Sequence, residues 1–181
     1  MRPSLNLTFL IIAAVVTVLG LGSDVALAEP AGQRADTAAN YIDVLDLHGA
    51  PKTPADRSFN IFFDAGSWHG YSLPLADDTA PGFSGPFVHS LGEGQWVGAR
   101  FAQLTLRDAT SKQNIDLSPV ESHAAPGYLV RRFSGLGLTV RETLFFADSW
   151  HALVRIELTA TTSQDVDLSV AGRVMPQQQK G

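Results

Sequence analysis

Two stretches of strict period-two alternation constrain this chain more than anything else in it. Ala152, Val154, Ile156, Leu158 and Ala160 fall on one face of an extended segment, and Arg155, Glu157, Thr159 and Thr161 fall on the other. Val166, Leu168, Val170 and Val174 repeat the device against Asp165, Asp167, Ser169 and Arg173. Successive side chains of a strand point to opposite faces, so both segments read as strands with one buried and one wetted face. Upstream, Leu138, Val140, Leu144 and Phe146 share a face opposite Thr139, Arg141 and Thr143, with Glu142 the one polar residue on the apolar side. Residues 128–133 and 99–106 alternate in the same way. The connections at 147–150 and 162–164 are short enough for antiparallel hairpin neighbours. The expected fold is therefore all-β, an antiparallel β-sandwich. Alternation counts only about six strands. One meander leaves their apolar faces without a partner layer, so the sandwich is expected to be incomplete.

The N-terminal region has a different character. Arg2 supplies a positive start, residues 9–21 are apolar apart from Thr17 and Gly20, and Ala26-Leu27-Ala28 is a small-residue cleavage site. This is the pattern of a secretory signal peptide, and thirteen apolar residues are short of the roughly 20 a membrane-spanning helix needs. Residues 1–28 are read as the signal, 29–40 as a flexible Ala-rich leader, 41–176 as one β-sandwich domain and 177–181 as a polar tail. The expected location is periplasmic or secreted, with no membrane attachment after cleavage at Ala28.

Composition excludes several classes. There is no cysteine, hence no disulfide framework, thiolate metal site or cysteine nucleophile. The net charge is −5, and Arg131-Arg132 is the only adjacent basic pair. Its two members point to opposite faces of a strand, so no clustered positive face for nucleic acid is expected. His69, His89, His123 and His151 lack ligand spacing, so no metal is expected and no cofactor. Asp77-Asp78 reads as a turn. Gly92, Gly94 and Gly98 do not match a phosphate loop, and no G-x-S-x-G is present. Asp64, Glu93, Glu121 and Glu142 are acids without an assignable catalytic pairing.

Chemistry concentrates in residues 60–74, Asn-Ile-Phe-Phe-Asp-Ala-Gly-Ser-Trp-His-Gly-Tyr-Ser-Leu-Pro. Prolines and glycines punctuate residues 59–86 so often that they read as a long connection, and long connections in compact domains are usually functional or docked. Trp68 beside His69, with Asp64 five residues earlier, suits either of two roles. The ring could stack on a sugar while the polar groups bind hydroxyls, or Trp68 could be a packing anchor and His69 a hydrogen-bonded structural histidine.

The motif Phe59-Asn60-x-Phe62-Phe63-Asp64-x-Gly66-x-Trp68-His69-Gly70-x-x-Leu73-Pro74, followed by Gly82-Phe83-x-Gly85, resembles the N-terminal domain of bacterial glucosidases of glycoside hydrolase family 63. Ile61 departs from the proline of that pattern. The resemblance implies a non-catalytic β-sandwich that packs on an (α/α)6 domain carrying the acid and base of an inverting α-glucosidase, where two carboxylates stand roughly 6.5–9.5 Å apart. No barrel follows within these residues, so the resemblance transfers no catalytic residue, and the chain is expected to be a truncated portion, inactive alone. Phe63, Asp64, Trp68, His69 and Tyr71 become candidates for contact with substrate or with the partner domain, α-glucosides being the implied substrates. The alternative is a free-standing periplasmic carbohydrate-binding module in which Trp68, His69 and Tyr71 touch sugar. N-terminal sequencing of the exported protein is expected to begin at Glu29; an N-terminus at Met1 in the exported fraction would contradict the cleavage.

Overall fold

The computed structural model describes residues 17–18, 41–89 and 93–176. The signal, leader and tail expectations therefore lie outside the described residues, apart from Thr17 and Val18. The strands are β1 (Thr17–Val18), β2 (His69–Ser72), β3 (Ser84–His89), β4 (Gly94–Trp96), β5 (Gly98–Asp108), β6 (Ser118–Ala125), β7 (Tyr128–Gly135), β8 (Leu138–Phe146), β9 (Ala152–Ala160) and β10 (Val166–Val174). They are joined by turns and irregular segments, with no helix among the described residues.

One sheet runs β1-β9-β8-β7-β6. Its four long strands form the expected antiparallel meander, and their register stacks the inward residues in rows: Leu129, Leu144 and Val154; Arg131, Glu142 and Ile156; Phe133, Val140 and Leu158. β1 adds only a two-residue parallel contact, Thr17 with Glu157 and Val18 with Leu158, and it lies inside the segment expected to be cleaved. β6 escapes the alternation rule because Ser118, Pro119, Val120 and Glu121 are exposed or only partly covered at the sheet edge, where proline is tolerated.

The second layer, expected to be lacking, is present. β10 pairs with β5, and β2, β3 and β4 form a three-stranded unit. The two are joined by reciprocal hydrogen bonds between Phe83 and Phe101, at 2.9 and 2.8 Å, and by Val97 N–H to Pro86 O at 2.9 Å. Residues 59–86 are accordingly not one irregular connection. They hold β2, the start of β3, and a bridge in which Phe62 N–H donates to Tyr71 O and Tyr71 N–H to Phe62 O. Two of the glycines that suggested a loop serve close backbone approach instead: a Cβ at Gly70 would fall 2.8 Å from Phe62 O, and one at Gly82 would fall 2.9 Å from Phe101 O. The core between the layers takes Phe62, Tyr71, Leu73, Phe83, Leu104 and Leu106 from one side and Leu129, Phe133, Val140, Leu144 and Ile156 from the other.

The segment before β2 closes one side of this core. Asp43 exchanges hydrogen bonds with Ala124 on β6, and Leu47 O accepts from Leu73 N–H at 2.9 Å. Residues 43–47 therefore tie the edge of one sheet to the edge of the other.

Two charges lie inside. Arg131 and Glu142 are register partners across β7 and β8, 2 % and 0 % exposed. Arg131 donates to the carbonyls of Ala80 (2.6 Å), Gly82 (2.9 Å) and Asp78 (2.8 Å), and its guanidinium lies 4.7 Å from the Phe133 ring centre. Glu142 Oε2 accepts from Gly82 N–H at 2.7 Å. Together they fasten the turn that leads into β3 to the opposite sheet. Burial raises Glu142 to about 7, against the opposing pull of the Gly82 hydrogen bond and Arg131, and lowers Arg131 to about 10.

A carboxyl raised on folding holds its proton in the native state after the unfolded chain has released it, so its contribution to stability falls as pH rises from about 4.5 to about 7. Relative to Glu142→Gln, which keeps an acceptor for Gly82, the natural chain should lose about 2–3 kcal/mol between pH 5 and 8. Urea titrations at the two pH values read this difference; parallel curves for the two proteins would contradict it.

Candidate functional site: an aromatic end of the sandwich

Residues 64–67 form a tight turn. Asp64 O accepts from Ser67 N–H at 2.9 Å and Asp64 Oδ1 from Ala65 N–H at 2.7 Å, with Ala65 and Gly66 both in left-handed conformation at φ 51° and 66°. Gly66 meets nothing within 4 Å, so it is needed for its φ and not for space. The turn delivers Trp68 to the surface, 47 % exposed, just before β2 begins.

A second turn meets it. Between β8 and β9, Asp148 Oδ1 accepts from Trp150 N–H (2.8 Å) and His151 N–H (2.9 Å), and its carboxylate holds His151 Nδ1 at 2.8 Å. These hydrogen bonds, Trp150 N–H first, hold Asp148 below the usual carboxylate range. The clamp presents Trp150, 70 % exposed, against Trp68. The two indoles stack with centroids 6.5 Å apart at 25°, and Trp68 N–H points to Ser149 O at 3.4 Å.

His69 links the turns. Its Nε2 lies 3.2 Å from Trp150 O. A carbonyl only accepts, so Nε2 carries the hydrogen and the neutral ring leaves Nδ1 as a bare acceptor; that atom is buried without a partner among the described residues. Burial lowers the His69 pKa, consistent with packing against Tyr71 and Phe146 at 5.6 and 5.3 Å. The histidine is structural here: it pins Trp150 to β2.

The remaining candidates divide. Phe63, 38 % exposed, stands edge-on to Phe87 at 6.0 Å, at the margin of a small cluster of Phe87, Trp96 and Met175. Asp64 is exposed and faces the β6–β7 turn, where a Cβ on Gly127 would lie 3.6 Å from its Oδ2. Tyr71 is 4 % exposed and its phenol pKa is pushed up by burial. It is a core residue and does not reach the surface shared by Trp68 and Trp150. Ala28 lies outside the described residues.

Among the described residues, the candidate glutamates Glu142 and Glu121 are engaged elsewhere and form no hydrolytic pair. Glu142 is sealed inside against Gly82, and Glu121 engages His123 at 2.8 Å and Arg132 at 3.0 Å. Among the described residues no group of three or more His, Cys, Asp or Glu could hold a metal. A shallow cleft of about 250 Å³ between residues 79–81, β5 and residues 114–117 contains none of the motif's aromatics. His48 stands between Asp46 Oδ1 (3.0 Å) and Ser122 Oγ (3.4 Å), an order reminiscent of an acid–imidazole–hydroxyl relay. The hydroxyl contact is long, and Asp46 is 80 % exposed, where water screens its hold on the ring. The trio staples residues 46–48 to β6.

Trp150, Asp148 and His151 were not legible as part of the site. One signal could have found them: Ser-Trp-His occurs twice, at 67–69 and 149–151, and the fold lays the two copies side by side.

These features define a β-sandwich domain with an organised aromatic end and no assembled catalytic centre among the described residues. Residues 49–181 match the family model described as glucosidase YgjK, N-terminal, and the chain belongs to that family. Truncating the core tyrosine, Tyr71→Ala, should cost about 3–5 kcal/mol of unfolding free energy, whereas Trp68→Ala and Trp150→Ala should each cost under about 1 kcal/mol. Chemical denaturation of the three variants measures the contrast, and an equal loss in all three would contradict the surface placement of the tryptophans.

Proposed function

We propose that this chain is the non-catalytic N-terminal β-sandwich portion of an exported α-glucosidase-like glycoside hydrolase of family 63, working beside an (α/α)6 catalytic domain of the same polypeptide. The observation that carries the reading is the family match over residues 49–181, which takes in the Trp68 motif and every strand of both layers except β1. The chemistry supports it from the other direction: two of the candidate acids are engaged in the domain's own architecture, Glu142 on Gly82 and Glu121 on His123 and Arg132. An inverting hydrolase needs two carboxyl groups facing each other across a water, and those belong to the partner domain. The N-terminal pattern of Arg2, the apolar run and Ala26-Leu27-Ala28 supports export to the periplasm or beyond.

A second reading, a carbohydrate-binding module, draws on the exposed Trp68–Trp150 pair, since sugar rings stack on such faces. Tyr71 has no part in it, being buried.

The purified 181-residue chain should not turn over α-glucosides, whereas a polypeptide continuing past residue 181 into a helical domain with a facing pair of acids should. Release of glucose from an α-linked disaccharide is the measurement. Turnover by the short chain would overturn the non-catalytic assignment.

A further inference from the structure

We propose that the aromatic end of the sandwich is the seat of the catalytic domain, with Trp68 and Trp150 at its centre and Phe63 at its margin. The inference rests on the reading above that such a domain follows in the same polypeptide, and it specifies where on this chain that domain sits.

Three observations converge on this end. First, three exposed aromatics lie there: Trp68, Trp150 and Phe63 are 47 %, 70 % and 38 % exposed, the two indoles stacked on each other, and exposed apolar surface of this kind marks interaction sites. Second, β10, the last described strand, finishes at the same end. Val174 pairs with Gly98, Met175 N–H donates to Val97 O at 2.8 Å, and the Met175 side chain is buried with Phe87, on whose ring Phe63 rests edge-on. The last described residues are therefore held beside this surface. Third, the tryptophans are ordered without a partner: the Asp148 clamp and the His69 contact fix the backbone of Trp150, and its indole stacks on Trp68. Pre-ordered side chains lose little entropy on binding.

The opposite end offers no equivalent. Among the described residues, Leu136 is exposed there and Val120 lies nearby on β6, beside a turn tied by Gln164 Nε2 to Leu136 O and Thr161 N–H to Gly137 O.

The rim defines the partner's chemistry. Asp64 and Asp148 flank the aromatics, which calls for an apolar surface edged with basic or hydrogen-bond-donating side chains. Sugar is disfavoured because both histidines beside the indoles are engaged internally, His69 on Trp150 O and His151 on Asp148, whereas ligand sites need several converging polar groups. A symmetric pairing with a second copy would set the same acidic rims against each other.

Hydroxyl-radical footprinting distinguishes these occupants. Oxidation of Trp68 and Trp150 should fall at least tenfold in the polypeptide that continues into its helical domain, compared with the 181-residue chain, while Leu136 reacts equally in both. In trans, Trp150→Ala should weaken association of this chain with that domain at least tenfold and Leu136→Ser should not. Unchanged oxidation of both tryptophans with the domain present would overturn the docking surface and leave the functional reading standing. A reading frame encoding no such domain beyond residue 181 would overturn both. Protection of the tryptophans in the short chain by an α-linked glucose disaccharide, or by its own self-association, would reassign the surface to sugar or to a second copy and likewise overturn the proposal.

Discussion

The structure depends on a pair of ionisable residues placed where the alternation of β7 and β8 calls for apolar ones. Arg131 and Glu142 face each other across β7 and β8 and reach over the core to one turn, Arg131 taking three of its carbonyls and Glu142 the amide of Gly82. Burying a charge is costly unless it is paired and hydrogen-bonded, and here that cost is offset by backbone groups which would otherwise be buried unpaired. Gly82 must be glycine for this: its φ is 107°, and a Cβ would lie 2.9 Å from Phe101 O. The turn then sets Phe83 against Phe101 and so joins β3 to β5. Arg100 strengthens the same turn through its ion pair with Asp78.

Polar groups play a comparable role at the aromatic end, on a smaller scale. Asp148 organises a five-residue turn by accepting two backbone hydrogens and holding His151, and His69 fixes that turn to β2. The result is a pair of indoles that remain at the surface although aromatic side chains of this size usually gain by burial. Trp96, the third tryptophan, shows the contrast. It is fully buried, and its Nε1–H donates to Asp56 O at 2.9 Å.

The division of labour within the proposed enzyme follows from these facts. The sandwich uses Glu142 and Glu121 for architecture and offers an apolar surface at the end where β10 finishes. Such a unit suits positioning and covering a neighbouring domain, while hydrolytic chemistry requires two facing carboxyl groups in a site built to hold sugar. Family membership and the geometry of the aromatic end point the same way from independent starting points.

Much of the first sheet was legible from residue order. Strands β7 to β10 follow from period-two alternation, because one buried face repeats every second residue whatever the partner may be. The motif around Trp68 was also visible, as a concentration of unusual side chains. Other features depended on tertiary contacts. β2 and β3 were hidden by glycines whose purpose, close approach of one backbone to another, appears only when both backbones are in place. β6 was hidden because an edge strand has no obligation to alternate. Glu142 stood out in sequence as a flaw in an apolar face, and folding made it an anchor by bringing Gly82 to it across sixty positions. Tyr71 looked equivalent to Trp68 three residues away, yet one ring is in the core and the other in water, since β2 begins at His69 and carries Tyr71 inward. Sequence alone therefore determined which segments extend and which faces are apolar, through local periodicity. Tertiary structure alone decided which polar groups meet, because hydrogen bonds between distant segments leave no periodic trace.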